Sequence, residues 1–194
     1  TEVERGFGDG VEDDQARFIA ARVGPLRVAS AYVPNGSSPD SEKYAYKKLW
    51  LERLRGWMDR RVDPGEPFVL VGDFNIAPEP RDVHDLDRWS GGVLFNEEMH
   101  AGLARVTGFG LTDALRVARP DEDELYSWWD YRSMAFPRND GLRIDLVYAT
   151  APLVPKVRAA RIDRDERKKN RCPEATTPSD HVPVEVDFAV EDGV

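Results

Sequence analysis

The sequence predicts a single domain over residues 1–194 of the α/β or α+β class, a sandwich of strands and helices. Three observations point there. Phe68-Val69-Leu70-Val71 is a continuous apolar run, the pattern of a strand covered on both faces. Val182, Val184, Val186, Phe188 and Val190 alternate strictly with other residues, the pattern of a strand with one buried face. Trp50, Leu51, Leu54, Trp57 and Met58 recur at helical period. Strands interleaved with helices define the class. At 194 residues and 41% hydrophobic content, the chain can bury one sizeable core.

Taken in order, Ala16 to Val23 and Leu26 to Val33 read as two strands joined by the Gly24-Pro25 turn. Asn35 to Asp40 is loop chemistry, and Asp40 or Ser41 can cap a helix running to about Arg61. Asp63-Pro64-Gly65 ends that helix. Phe95, Met99, Leu103 and Val106 mark a second helix, closed by Gly108. Tyr126 to Tyr131 and Leu142 to Ala149 read as strands around a turn at Asn139-Asp140-Gly141. Arg161 to Arg171 is a charge-dense loop. Pro183 puts the last strand at a sheet edge or at its own beginning.

Composition narrows the function classes. No apolar run approaches the length of a membrane helix, so no membrane role is expected. The single cysteine, Cys172, excludes an internal disulfide and a cysteine-rich zinc site, and a reducing cytoplasm fits best. The formal charge of −9 runs against the usual basic character of nucleic-acid binders. A site built of carboxylates contributes to that charge by itself.

Several short stretches could carry chemistry. Asp73 and Asn75 directly follow the buried strand, where a sheet end fixes catalytic groups; a plain Asp/Asn turn is the bland alternative. Asp180 and His181 precede the last strand, where Asp180 could ligate a metal and His181 could donate to a phosphoryl oxygen. Asp145 sits inside an apolar strand, a costly place for an unpaired carboxylate, and such a group commonly orients a histidine. The simpler alternative has Arg143 and Asp145 both facing solvent. Tyr32 ends its strand within Ala-Tyr-Val-Pro-Asn. Ser127 to Ser133 clusters aromatics with Arg132, either a stacking platform or core strand residues. Lys168, Lys169 and Arg171 could touch phosphates, or simply form a solvated loop.

Together, and in this order, Tyr-x-Pro-Asn, Gly-Asp-x-Asn, Ser-Trp-x-Asp-Tyr-Arg-Ser, Gly-Leu-Arg-Ile-Asp and Ser-Asp-His resemble the exonuclease III and abasic-site endonuclease family of the endonuclease/exonuclease/phosphatase superfamily. The resemblance runs from about residue 4 to residue 190. It implies a four-layer sandwich of two mixed β-sheets flanked by helices. It implies metal-assisted phosphodiester hydrolysis on duplex DNA, at abasic sites and 3′ ends, in base-excision repair, with Mg2+ or Mn2+ as cofactor.

By the same resemblance, Asp73 deprotonates or aligns the attacking water and Asn75 helps position it. His181 bonds the scissile phosphate, Asp145 fixes His181, and Tyr32 sits near the phosphate. Asp180 is an outer metal contact, and in one arrangement Asp73, Asn75 and His181 also bind metal. Asn35 is a phosphate contact, and Arg132 belongs to the same DNA-facing segment as Trp128. Trp128, Leu142 and Ile144 wall the pocket for an extruded sugar. No obligate protein partner is implied, and the complete enzyme is expected to be a monomer.

The family also opens with strands ending in Gln-Glu, whose glutamate is the primary metal ligand. Nothing before Tyr32 matches them. The expectation is therefore a chain lacking roughly a quarter to a third of the domain, with its first sheet incomplete. Strands 16–23 and 26–33 would be left with an open edge and a bare apolar face. The rival readings are an inactive fragment of such an enzyme and a phosphatase or phospholipase of the superfamily. Ser127 to Ser133 argues against the latter.

Overall fold

In a computed structural model, residues 2–169 and 176–190 are described. Arg171 and Cys172 lie outside the described residues. The strands are β1 (Glu4–Arg5), β2 (Phe18–Val23), β3 (Leu26–Tyr32), β4 (Phe68–Asp73), β5 (Leu111–Asp113), β6 (Asp145–Thr150), β7 (Val157–Ile162) and β8 (Val184–Phe188). The helices are α1 (Glu42–Arg61), α2 (Leu86–Trp89), α3 (Glu97–Thr107), α4 (Ala114–Ala118) and α5 (Ala135–Arg138). Six strands form one mixed sheet in the order β1-β2-β3-β4-β6-β5, and β7 and β8 form a second, two-stranded one.

Among the long elements the sequence periods translate directly. Ser41 caps α1, its side chain accepting from the Tyr44 amide. The buried stripe of that helix is Tyr44, Lys47, Trp50, Leu51, Leu54, Trp57 and Met58. Helix α1 is the crossover between the parallel pair β3 and β4, so it must lie on a face of the sheet. There it meets α3 over a core that includes Phe7, Phe18 and Phe68. Gly102 of α3 lets the two helices approach closely: a Cβ there would come 2.9 Å from Leu51 Cδ1.

Strand β4 ends in a turn that explains its sequence. Gly72 has φ +137°, and a Cβ on it would lie 1.9 Å from the Ala31 carbonyl oxygen, so only glycine fits. Asn75 takes φ +49°, a left-handed conformation that asparagine tolerates. Its amide donates to Asp73 Oδ1 at 2.8 Å, closing an Asx turn.

The structure corrects four expectations. Residues 126–131 are not a strand. Trp128 makes isolated bridges to Leu142 and His181, and the Ser127 and Trp128 amides both donate to the Leu142 carbonyl. Both sides of β6 are already taken, by β4 and β5, so no hairpin ladder with 126–131 can continue. The charge-dense segment is not all loop: Arg161 and Ile162 belong to β7, a 3-10 turn covers Arg164–Arg167, and Lys168 pairs with Asp165. Arg143 does not face solvent. It is fully buried, with its guanidinium on Asp82 and Asp113.

The fourth concerns the sheets. β3 is an interior strand, and the two-residue β1 pairs with Ile19 and Ala20 of β2, covering that edge there but, among the described residues, not from Ala21 to Val23. The short sheet is that of β7 and β8, whereas the sequence places the shortfall in the sheet of residues 16–33. A bare face over β2 and β3 does exist: Ile19 is 44% exposed and Tyr32 50%.

Candidate functional site

Strand register builds the site. Tyr32 ends β3, Asp73 ends β4 and Asp145 begins β6. Tyr32 is the register partner of Asp73, and Asp73 of Asp145. Directly paired residues point to one face, so these three side chains stand in a row at one end of the sheet. His181 arrives from the loop before β8 and pins to this row: its Nδ1 lies 2.9 Å from Asp145 Oδ2. Ser127 Oγ donates to the same carboxylate oxygen at 2.7 Å and accepts from the Ile144 and Asp145 amides. Its hydroxyl thus locks the carboxylate that holds the imidazole. The other ring nitrogen of His181 has no protein partner among the described residues.

Of these residues Tyr32, Asp73 and His181 open into one cleft of about 760 Å³, while Asp145 and Ser127 support His181 from outside its lining. Tyr32, Asn35, Asp73, Asn75, Asp180 and His181 all line it. So do Trp128, Arg132 and Ile144. Leu142 does not. It is fully buried in the main core, and its backbone bonds the segment that carries Trp128.

The electrostatics follow from crowding carboxylates at a half-closed sheet end. Burial, and next the negative charge of Asp145, push the Asp73 carboxyl up to about 6. Its bond from the Asn75 amide and the nearby His181 and Lys47 charges oppose this. His181 is held above the usual histidine range. Burial works against its charged form, but the hydrogen bond and charge of Asp145, with Asp73 and Asp180 behind, outweigh it. A carboxyl raised to about 6 therefore stands beside an imidazole that holds its proton more tightly than usual.

Metal ligation is less complete. Among the described residues, no group of three or more His, Cys, Asp or Glu side chains is placed to hold a metal ion. The Asn75 carboxamide is engaged at both ends: Oδ1 accepts from Asn35, and Nδ2 donates to the Val33 carbonyl and to Asp73 Oδ2. Asp180 Oδ2 accepts from Trp128 Nε1 at 2.9 Å. Asp73 and Asp145 supply negative charge for a cation, but the proposed ligands Asp73, Asn75, Asp180 and His181 do not form a cage by themselves.

Sequence reasoning did not single out five contributors. Lys47 lies beneath the cleft floor, and its signal was a lysine in phase with the apolar stripe of α1. Ser127 opens the motif already noted for its aromatics. Arg88 and Trp89 line the cleft from α2, with the Trp89 ring edge-on to Trp128 at 5.9 Å; no periodicity announces so short a helix. Asp82 is fully buried between Arg143 and Arg116, with contacts of 2.7 and 2.5 Å, a pairing across the chain that no local pattern reveals.

Residues 2–181 match the Endonuclease/Exonuclease/phosphatase family. The chain is 32% identical to exodeoxyribonuclease III of Haemophilus influenzae over 96% of its own length and 72% of that protein's. It is 30% identical to an exodeoxyribonuclease of Bacillus subtilis, of which it spans 66%. Among solved structures it superposes on an AP endonuclease from Archaeoglobus fulgidus with a TM-score of 0.88 and 37% identity, covering 97% of this chain and 71% of that one.

Proposed function

The chain belongs to the endonuclease/exonuclease/phosphatase family, and from that premise we propose that it is a DNA-repair phosphodiesterase of the exodeoxyribonuclease III kind. It cleaves duplex DNA 5′ to abasic sites and removes nucleotides from 3′ ends, in the cytoplasm, without a partner protein. The observation that carries this reading is the row Tyr32, Asp73, Asp145 with His181 bonded to Asp145, of which Tyr32, Asp73 and His181 line one cleft with Trp128.

Each side chain has a task that its surroundings support. Asp73, with its carboxyl near 6, accepts a proton from an attacking water or aligns it. His181, whose proton affinity Asp145 raises, presents a donor to the phosphate as negative charge builds there. Ser127 keeps Asp145 from rotating away. Tyr32 and Asn35 border the phosphate position. Trp128, Arg132 and Ile144 offer an apolar wall and a cation to an extruded sugar and its flanking phosphate. A divalent cation, magnesium or manganese, supplies Lewis-acid polarisation of the phosphoryl oxygen when bound. The described residues hold it weakly by themselves.

The test is incubation of the chain with an abasic duplex and magnesium, repeated with EDTA, with the Haemophilus relative as positive control. Scission 5′ to the abasic site that EDTA abolishes is the expected result. The lack of a three-residue metal cluster among the described residues favours a second reading, DNA binding without cleavage. Retention of the duplex with no scission at any magnesium concentration would select it.

A further inference from the structure

The mechanism above makes no use of one fully buried lysine near the cleft. Lys47 sits at 0% exposure on the inner stripe of α1 and contacts no carboxylate. Its ammonium has three protons and three acceptors. They are the carbonyl oxygens of Asn35 at 3.1 Å, Asn75 at 2.7 Å and Val93 at 2.7 Å. Each acceptor belongs to a different segment: the loop after β3, the turn after β4 and the loop before α3. All three residues line the cleft. A charge so placed is costly to bury unless fully bonded, and here carbonyl dipoles alone bond it.

From this geometry we propose that Lys47 is a positioning residue. It ties three loops from different parts of the chain into one cleft floor and so sets the places of Asn35 and Asn75. The linkage runs on into the site: Asn35 Nδ2 donates to Asn75 Oδ1, and Asn75 Nδ2 to Asp73 Oδ2. Gly36 completes the fit, with φ +99° and the Lys47 Cδ only 3.2 Å from where its Cβ would be. Neither an apolar residue nor a side chain with fewer donors can satisfy all three carbonyls at once. The consequence for the shape of the cleft stands without DNA; the consequence for substrate rests on the reading above.

Lys47→Met keeps an unbranched stem of similar length and removes every donor. Lys47→Arg keeps charge and donors. In DNA-free, metal-free buffer, the amides of Val33, Ala77 and Phe95 report the three segments, since they bond to Asp73, Leu94 and Gly92 carbonyls respectively. In Lys47→Met their exchange should quicken roughly tenfold or more relative to amides in the interior of β3 and β6, and Lys47→Arg should restore it. Affinity for an abasic duplex should fall and recover in parallel. Exchange that quickens equally everywhere, in proportion to lost global stability, would reduce Lys47 to a core residue and overturn the proposal, as would unchanged loop protection. Should Lys47→Met fail to fold, Lys47→Gln, which keeps two donors, is read by the same criteria. A parent chain that does not bind the duplex would overturn the functional reading alone, because the exchange result decides the role of Lys47 without DNA.

Discussion

The two faces of the six-stranded sheet are built from equally regular alternation and end in opposite conditions. On one, the row Ala20, Ala29, Leu70 and Tyr148 lies beneath α1 and α3 and is buried from end to end. On the other, the row Ile19, Ser30, Val71 and Val147 passes from exposed, through half-buried, to buried as it approaches β7 and β8. The strands of the small sheet show the same shortage: Val184, Val186 and Phe188 are half-buried, although their alternation reads as one fully buried face. Alternation says which way a side chain points. Whether anything covers it is decided by elements elsewhere in the chain. The cleft lies at the end of this unevenly covered face, since Tyr32, Asp73 and Asp145 continue its rows.

The largest expected effect is on the covered face. Trp57 is fully buried, with Phe18 at 4.7 Å and Phe68 at 6.1 Å between ring centroids. Trp57→Ala should cost about 3–5 kcal/mol in urea denaturation, from lost transfer energy and the cavity left behind. Phe188→Ala, on the half-covered side, should cost about 1 kcal/mol, well below the ~1.5–3 kcal/mol of a fully buried large apolar side chain. Equal losses at the two positions would mean that the faces are packed alike.

The ends of the rows can be probed through charge. In Asp145→Asn, the negative neighbour of Asp73 disappears, so the Asp73 carboxyl should titrate below its value of about 6. His181 should lose proton affinity as well, since its hydrogen bond and charge partner is gone. In the parent, a carboxyl raised in the fold stabilises it below the ordinary aspartate value of 3.8 and loses that contribution as pH climbs through about 6. The variant should lose less across that window. NMR titration of the Asp73 carboxyl in EDTA checks this directly, and an unmoved midpoint would leave burial as the only cause of the shift.

Much of this was legible in the sequence because it is local. The stripe of α1, the buried run of β4, the Gly72-Asp73-Phe74-Asn75 turn and the late pair Asp180 and His181 each carry their own pattern. The contact of Asp145 with His181, 36 residues away, followed from the family resemblance. Pairings across the chain with no local pattern were not legible. Arg143 reads as a solvent-facing strand residue until Asp82, 61 positions earlier, proves to be its buried partner. Leu142 reads as a wall residue until the fold buries it completely in the main core. Lys47 reads as one more charge on a helix until three carbonyls close around it. The order of strands in the two sheets was likewise out of reach, because it depends on which edges are already occupied.

The smallest expected effect is the most discriminating for the comparison itself. Ile19 lies on the uncovered face of β2, with the exposed Ser30 as its register partner. Were that face bare in solution, Ile19→Thr would remove little buried apolar surface and keep a β-branched side chain suited to a strand. The cost should then stay within about 0.5 kcal/mol, as for surface positions generally. An exposed apolar face is also a surface for association, so sedimentation should show the substitution reducing any self-association of the parent chain. Were Ile19 instead covered, by a second copy or by any further segment, the same change would cost about 1 kcal/mol or more in that assembly, with the loss depending on protein concentration for a second copy and independent of it for a segment of the same chain. Denaturation at two protein concentrations separates these outcomes. A large loss that does not vary with concentration would show that the second face is as fully packed as the first.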